Sequence, residues 1–164
     1  LYANAPPQPK VADWFEAETA QTLTMPLEIM DNASASGAQH IGTLIGVGDV
    51  NSEPPADGIA RYTLTVAGGT YKLSARINTE GGNSFWVRIP GATIPADTEL
   101  HASGWVRWND PAAAEGWNWF DVFSDDDDQE ATVLFGMDPG TYTLEIARRE
   151  DGAFLDAIAL VKMD

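Results

Sequence analysis

Three tryptophans within a dozen residues define the chemistry open to this chain. Trp108-Asn109 and then Gly116-Trp117-Asn118-Trp119 set indoles beside amides and a glycine, in a stretch that reads as loop rather than core. The whole chain has six tryptophans, two histidines and no cysteine. An indole face covers flat C–H surface, such as one face of a pyranose, and removes it from water at roughly 25 cal/mol per Å². Asparagine and arginine then supply directed hydrogen bonds whose loss leaves polar groups unpaired. An arginine also pairs with a carboxylate such as a uronate through two bonds.

The elements that must hold these groups are strands. Residues 61–66 alternate, with Tyr62, Leu64 and Val66 on one face, and Gly68-Gly69 make a tight turn. Tyr71, Leu73, Ala75 and Ile77 alternate against Lys72, Ser74 and Arg76. Phe85, Val87 and Ile89 point inward in the next run; Pro139-Gly140 turn the chain into Tyr142, Leu144 and Ile146; residues 154–161 form a last strand. Short period-2 segments split by Gly, Pro and Asp, with no sustained helical period and no internal repeat, predict an all-β sandwich of mostly antiparallel strands. Outward parity groups Arg76, Trp86 and Arg88 on one sheet face opposite Phe85 and Val87. Asn83 opens the neighbouring strand, and Arg149 and Asp151 fall in a turn before the last strand. Trp14 is assigned to structure. Trp105 and Trp108 have opposite parity, so simple pleating sends at most one to the core. Trp117 is placed nearer a ligand, with Trp119 partly buried. Trp86 is either a ligand platform or a patch meeting a neighbouring domain.

A second constellation is acidic. Glu16 and Glu18 share a side of an extended segment, about 7 Å apart by strand rise. Asp156 shares parity with Phe154, Ile158 and Leu160, and a carboxylate on an apolar face is costly unless paired or metal-bound. A hard cation held by Glu16, Glu18, Asp156 and backbone carbonyls offsets that cost, and with no cysteine and few histidines calcium is favoured over zinc or copper. The bland alternative is that both glutamates flank an edge strand and point into water. As a glycosidase pair they meet the separation requirement, about 5 Å or 6.5–9.5 Å, but they lie far in sequence from the aromatic cluster. His40 and His101 have no motif around them and read as surface or loop histidines, which leaves no serine-histidine-aspartate arrangement. The chain is therefore expected not to be an enzyme.

The formal charge of −16, from 25 acidic against nine basic residues, argues against nucleic acid and anionic membranes. No run is long and apolar enough to span a bilayer. Residues 1–13, with Pro6, Pro7 and Pro9, read as the remnant of an interdomain linker, and residues 14–164 as one folded domain. A signal peptide is expected to be absent or already removed. The run Asp125-Asp126-Asp127-Asp128 is expected to be a solvated loop.

One ordered set of segments carries a resemblance. Phe15-Glu16-Ala17-Glu18, Asn32 to Gly37 with His40-Ile41-Gly42, Gly69 to Arg76, Asn83 to Arg88, Trp117-Asn118-Trp119, and Arg149 to Leu160 follow one another over residues 14–161. Together they resemble the carbohydrate-binding modules of families 6 and 35. The resemblance implies a jelly roll of the galactose-binding type and a structural calcium at Glu16, Glu18 and Asp156, with a backbone carbonyl from residues 36–39, assigned to Gln39. It also implies two places for glycan: a loop rim, supplied here by Trp108, Asn109, Trp117, Asn118 and Trp119, and a concave sheet face.

The expectation is a secreted, monomeric, non-catalytic module, covalently linked to other domains, that targets an enzyme or adhesin to plant or algal polysaccharide. A protein-interaction domain on the same sandwich is the other reading, since exposed aromatics also serve as protein hot spots.

Overall fold

The structure, a computed structural model, describes residues 12–109, 115–124 and 131–163. Twelve strands follow in order: β1 (Ala12–Glu16), β2 (Thr22–Leu23), β3 (Glu28–Asp31), β4 (Gln39–Gly42), β5 (Ile59–Val66), β6 (Gly69–Asn78), β7 (Phe85–Arg88), β8 (Val106–Trp108), β9 (Trp117–Asp121), β10 (Leu134–Met137), β11 (Gly140–Arg148) and β12 (Phe154–Lys162). The helical content of the described residues is three single 3₁₀ turns. Every strand pairing is antiparallel.

The strands form two sheets. The first runs β10-β6-β12-β4-β3, with β9 also on β6 and β1 also on β12. Because β6 pairs with β12 along one edge, β9 and β10 follow each other along the other. The second sheet runs β2-β5-β11-β7-β8. The turns at Gly68-Gly69 and Pro139-Gly140 each carry the chain from one sheet to the other, and they touch. A Cβ built on Gly68, whose φ is +89°, would meet Pro139 Cδ at 2.8 Å. The all-β sandwich read from the alternation is the fold.

The core lies between the sheets and takes the residues that parity assigned to it. Tyr62, Leu64 and Val66 meet Tyr71, Leu73, Ala75, Ile77, Phe85, Val87, Ile89, Leu144 and Ile146, all buried. Strand β1 begins two residues before the expected boundary, with Ala12 opposite Val161 and Asp13 opposite Leu160. The remaining linker positions, 1–11, and the Asp125–Asp128 run lie outside the described residues.

The tryptophans are where parity misleads. Trp108 is fully buried in the core, its ring centroid 6.0 Å from that of Phe85. Trp86 is also fully buried, but on the other side of its sheet, with Ile59, Trp105 and Ala147. Trp105 and Trp108 do take opposite faces; both are nonetheless sealed, Trp108 in the core and Trp105 beside Trp86 on the outer side, where the chain after Gly48 crosses. Trp86 Nε1 donates to the Val50 carbonyl at 3.0 Å, and the Val50 amide donates to the Arg149 carbonyl at 2.6 Å. Burying an aromatic covers about 150–250 Å², about 4–6 kcal/mol at 25 cal/mol per Å², which favours a sealed Trp86 over a displayed one. Trp14, expected to be structural, is 37% exposed. His40, expected on the surface or in a loop, is buried in β4.

Strand β12 carries one irregularity with functional weight. Leu155 pairs with Ile77 and Ala157 with Arg76, so Asp156 is an extra residue in the ladder, a β-bulge. The core residues of this strand are therefore Leu155, Ile158 and Leu160. Parity flips at Asp156, which leaves the apolar face that period-2 reading assigned to it.

Candidate functional site

The outer face of the first sheet gathers most of the chemistry. Alternation on β6 buries Ala75 and Ile77 in the core and turns Ser74, Arg76 and Asn78 outward. Strand β9 lies alongside, with Trp119 opposite Arg76, Trp117 opposite Asn78 and Asp121 opposite Ser74. On the other flank Ala157 pairs with both Arg76 and Glu16. One row of this face thus reads Trp119, Arg76, Ala157, Glu16, with Asp156 inserted beside it.

Asp156 has no exposed surface. Its Oδ1 accepts the Ser36 amide at 2.9 Å, and its Oδ2 accepts a bond from Arg76 Nη1. The Ser36 hydroxyl donates to Glu16 Oε1 at 2.7 Å. Glu18 reaches the same place by a different route from the one expected. Strand β1 ends at Glu16, and a 3₁₀ turn over Ala17–Thr19 brings Glu18 round, rather than continued extension. Gly37 makes the close approach possible: its φ is +60°, and a Cβ there would lie 3.0 Å from Glu18 Oε1. Burial pushes the Glu18 carboxyl above its ordinary range, and the charges of Glu16 and Asp156 push it the same way. Burial raises Asp156 as well, against the pull of the Ser36 amide and Arg76.

The acidic side chains here are all carboxylates, donors of the kind a hard cation takes, and Glu16 Oε2 and Glu18 Oε2 are buried without a hydrogen-bond partner. As arranged, no group of three His, Cys, Asp or Glu side chains among the described residues is set to hold a metal ion. Arg76 and Ser36 hold the oxygens of Asp156 instead. Gln39, assigned through its backbone carbonyl, opens β4 opposite Asp31, and its side-chain amide donates to Asp31 Oδ1 at 3.0 Å. Ser36 and Gly37 are the residues of that loop that meet the acids.

The indoles border this cluster. Trp117 is half-buried; its Nε1 donates to Ser34 Oγ at 3.1 Å, its ring lies 5.2 Å from that of His40, and the Arg76 guanidinium carbon lies 5.9 Å from its centre. His40 is wedged between Trp117 and Phe154, at 5.0 Å from the latter, and burial lowers its pKa. Trp119 is half-buried with its Nε1 covered. Asn118 spends its side-chain amide on the Glu115 and Gly116 carbonyls at 3.0 and 3.4 Å, which braces the turn ahead of Trp117.

Other expected contacts lie elsewhere or are engaged. Arg76 belongs to the first sheet, Trp86 and Arg88 to the second, so the three share no face. Arg88 lies over Trp105 at 4.4 Å, donates to the Ser103 carbonyl at 3.0 Å, and bonds Glu145 through Nε. Arg61 Nε binds the other Glu145 oxygen at 2.8 Å. Burial pushes Glu145 up, but the bonds from Arg88 and Arg61 outweigh it and hold the carboxyl below its ordinary range. A cleft of about 280 Å³ opens here between Pro54, Pro55, Arg88, Ser103 and Trp105. Arg149 is buried, donating to Ser84 Oγ at 2.7 Å and to Asn109 Oδ1. The Asn83 backbone N–H donates to Glu150 Oε2 at 2.9 Å. Asp151 staples a loop: its Oδ2 accepts the amides of Gly46 at 2.7 Å and Gly48 at 2.9 Å, which hold its pKa down.

Residue reading missed Ser34, His40 and Glu145, and reached Ser36 only as one end of the 36–39 stretch. Serines in a short loop carry no periodic signal, and a buried acid in an alternating strand shows itself only once its cross-strand arginines are known.

No protein-family model and no curated protein sequence matches the chain. Solved structures do. A family 35 carbohydrate-binding module from Clostridium thermocellum superposes with a TM-score of 0.53 at 16% identity, over 91% of this chain and 98% of that one. The module CBM6cm-2 of Cellvibrio mixtus lichenase 5A, solved in complex with cellotriose, gives 0.58 at 15%, over 92% and 97%. The GH26-CBM35 β-(1,4)-mannanase of Podospora anserina gives 0.59 at 15% over 93% of this chain, which spans only 28% of the mannanase. The fold is therefore that of the carbohydrate-binding modules of families 6 and 35.

Proposed function

We propose that this domain is a non-catalytic carbohydrate-binding module that stacks a sugar on the Trp117 face and holds calcium at Glu16, Glu18 and Asp156. The observation that carries the reading is one face bearing half-buried Trp117 and Trp119 beside Arg76 and an acid cluster with orphaned oxygens. Trp117 is oriented by Ser34 and by its turn, so little rotamer freedom remains to be lost on binding. The fold's occurrence in a module bound to cellotriose and in a mannanase supports a polysaccharide ligand. Calcium, when bound, supplies charge neutralisation for the three acids; the chain's own residues orient the ligand.

In the parent protein the module is secreted, covalently joined to other domains, monomeric, and directed to plant or algal glycan. Affinity electrophoresis against a panel of such polysaccharides, with and without calcium, tests this. Wild type is retarded by at least one member and Trp117→Ala by none, while the melting temperature of Trp117→Ala stays within a few degrees. Equal retardation of the two proteins removes the Trp117 site.

A second reading, a protein-docking domain, is favoured by one observation. Leu44, Ile45 and Val47 are 50%, 74% and 46% exposed on the loop that Asp151 pins. A chain that ignores every polysaccharide but loses a protein partner on Ile45→Ser supports it.

A further inference from the structure

Resting on the calcium reading above, we infer that Arg76 is the resident counter-ion of the acid cluster, displaced by the metal and delivered to the tryptophan face. Three observations meet in this side chain. Arg76 Nη1 holds Asp156 Oδ2, which a metal ion at the cluster would claim. The same guanidinium lies over Trp117, and Trp119 stands opposite it across the β6–β9 ladder. Its Nε is buried without a partner, so the pairing with Asp156 satisfies only part of the group.

Without a divalent ion, three carboxylates share one spot, and the side chain of Arg76, 14% exposed, partly neutralises them. A doubly charged ion at the same oxygens replaces that pairing and repels the guanidinium. The way out leads to the indoles, where a cation gains from the ring faces and offers N–H donors to whatever stacks on Trp117. Glutamine or alanine in place of Arg76 would break the connection between ion and shelf. Because coupling between two sites is reciprocal, a ligand that engages the released guanidinium tightens the ion by the same factor.

The probe is calcium chloride titrated calorimetrically into calcium-stripped wild type, Arg76→Gln and Lys72→Gln. Lys72 lies on the same face of β6, four residues away, paired with Asp121 at 2.7 Å, and controls for loss of charge alone. Arg76→Gln is expected to bind calcium about fivefold tighter or more, the low end of couplings between linked sites, with Lys72→Gln within about twofold of wild type. Unchanged or weaker binding by Arg76→Gln, or an equal gain in Lys72→Gln, overturns the exchange and leaves the calcium site standing. No calcium binding by any of the three removes the calcium reading together with the exchange. Tryptophan emission gives a second readout that stands if Arg76→Gln fails to fold. Calcium shifts the wild-type emission, and the shift shrinks in Trp117→Phe; an identical shift in both proteins also overturns the exchange.

Discussion

Two outer faces of this sandwich solve opposite electrostatic problems. On the first sheet Glu16, Glu18 and Asp156 gather with one arginine, which bonds Asp156, and Glu18 and Asp156 are held above the ordinary carboxylate range. On the second sheet a single acid, Glu145, lies between Arg61 and Arg88 and is held below it. The same residue types leave acid in excess in one place and close a clamp in the other. The closed clamp needs nothing from outside and reads as structure. The cluster with excess negative charge is the one proposed to take a cation.

The contrast is broken or sharpened by four measurements. Trp86→Ala empties the sealed side of the second sheet and costs about 3–5 kcal/mol, as large core truncations do; a denaturant melt that barely moves would show that Trp86 is not a packing residue. Glu145→Gln leaves two guanidiniums facing a neutral amide and costs about 2 kcal/mol, within the range for charged hydrogen bonds. Asp156→Asn costs less, about 1 kcal/mol, since loss of the Arg76 pair is offset by relief of repulsion on Glu18; it also abolishes any calcium-dependent rise in melting temperature. If Asp156→Asn proves costlier than Glu145→Gln in calcium-free buffer, the two faces are not opposites.

The fourth is the pH profile of the calcium-stripped protein. Raised carboxyls at Glu18 and Asp156 contribute stability that is present below their unfolded values and lost as pH rises through the folded ones. The lowered carboxyl of Glu145 contributes stability present above the unfolded value, ordinarily 4.5, and lost as pH falls through the folded one. Melting temperature therefore rises on acidification from neutrality into the carboxylate range and then falls. Calcium flattens the first limb, and Glu145→Gln softens the second.

The sandwich was legible because Tyr62 to Val66, Tyr71 to Ile77 and Phe85 to Ile89 alternate without interruption, and burial rewards that pattern directly. The acid trio was legible as residue types but not as geometry: Glu18 arrives by a turn and Asp156 by a bulge, neither of which has a period. Parity says which side of a strand a residue takes, not which sheet the strand joins, so Arg76 was grouped with Trp86 and Arg88. Nor does it reveal that a loop will cover an outer face, which is why Trp86 read as a platform. Trp108 failed for a simpler reason: its neighbours Asn109 and Gly116 made a core residue look like part of a loop.

Asp156 owes its position to a single unmatched residue in β12. Removing one residue there, at Ala157 for example, would restore even pairing with β6. It would also seat Asp156 in the outward place opposite Arg76 that Ala157 now holds, with Leu155, Ile158 and Leu160 still facing the interior. The skipped beat lets Leu155, Ile158 and Leu160 all face the interior while Asp156 and Ala157 crowd together on the outer side between them.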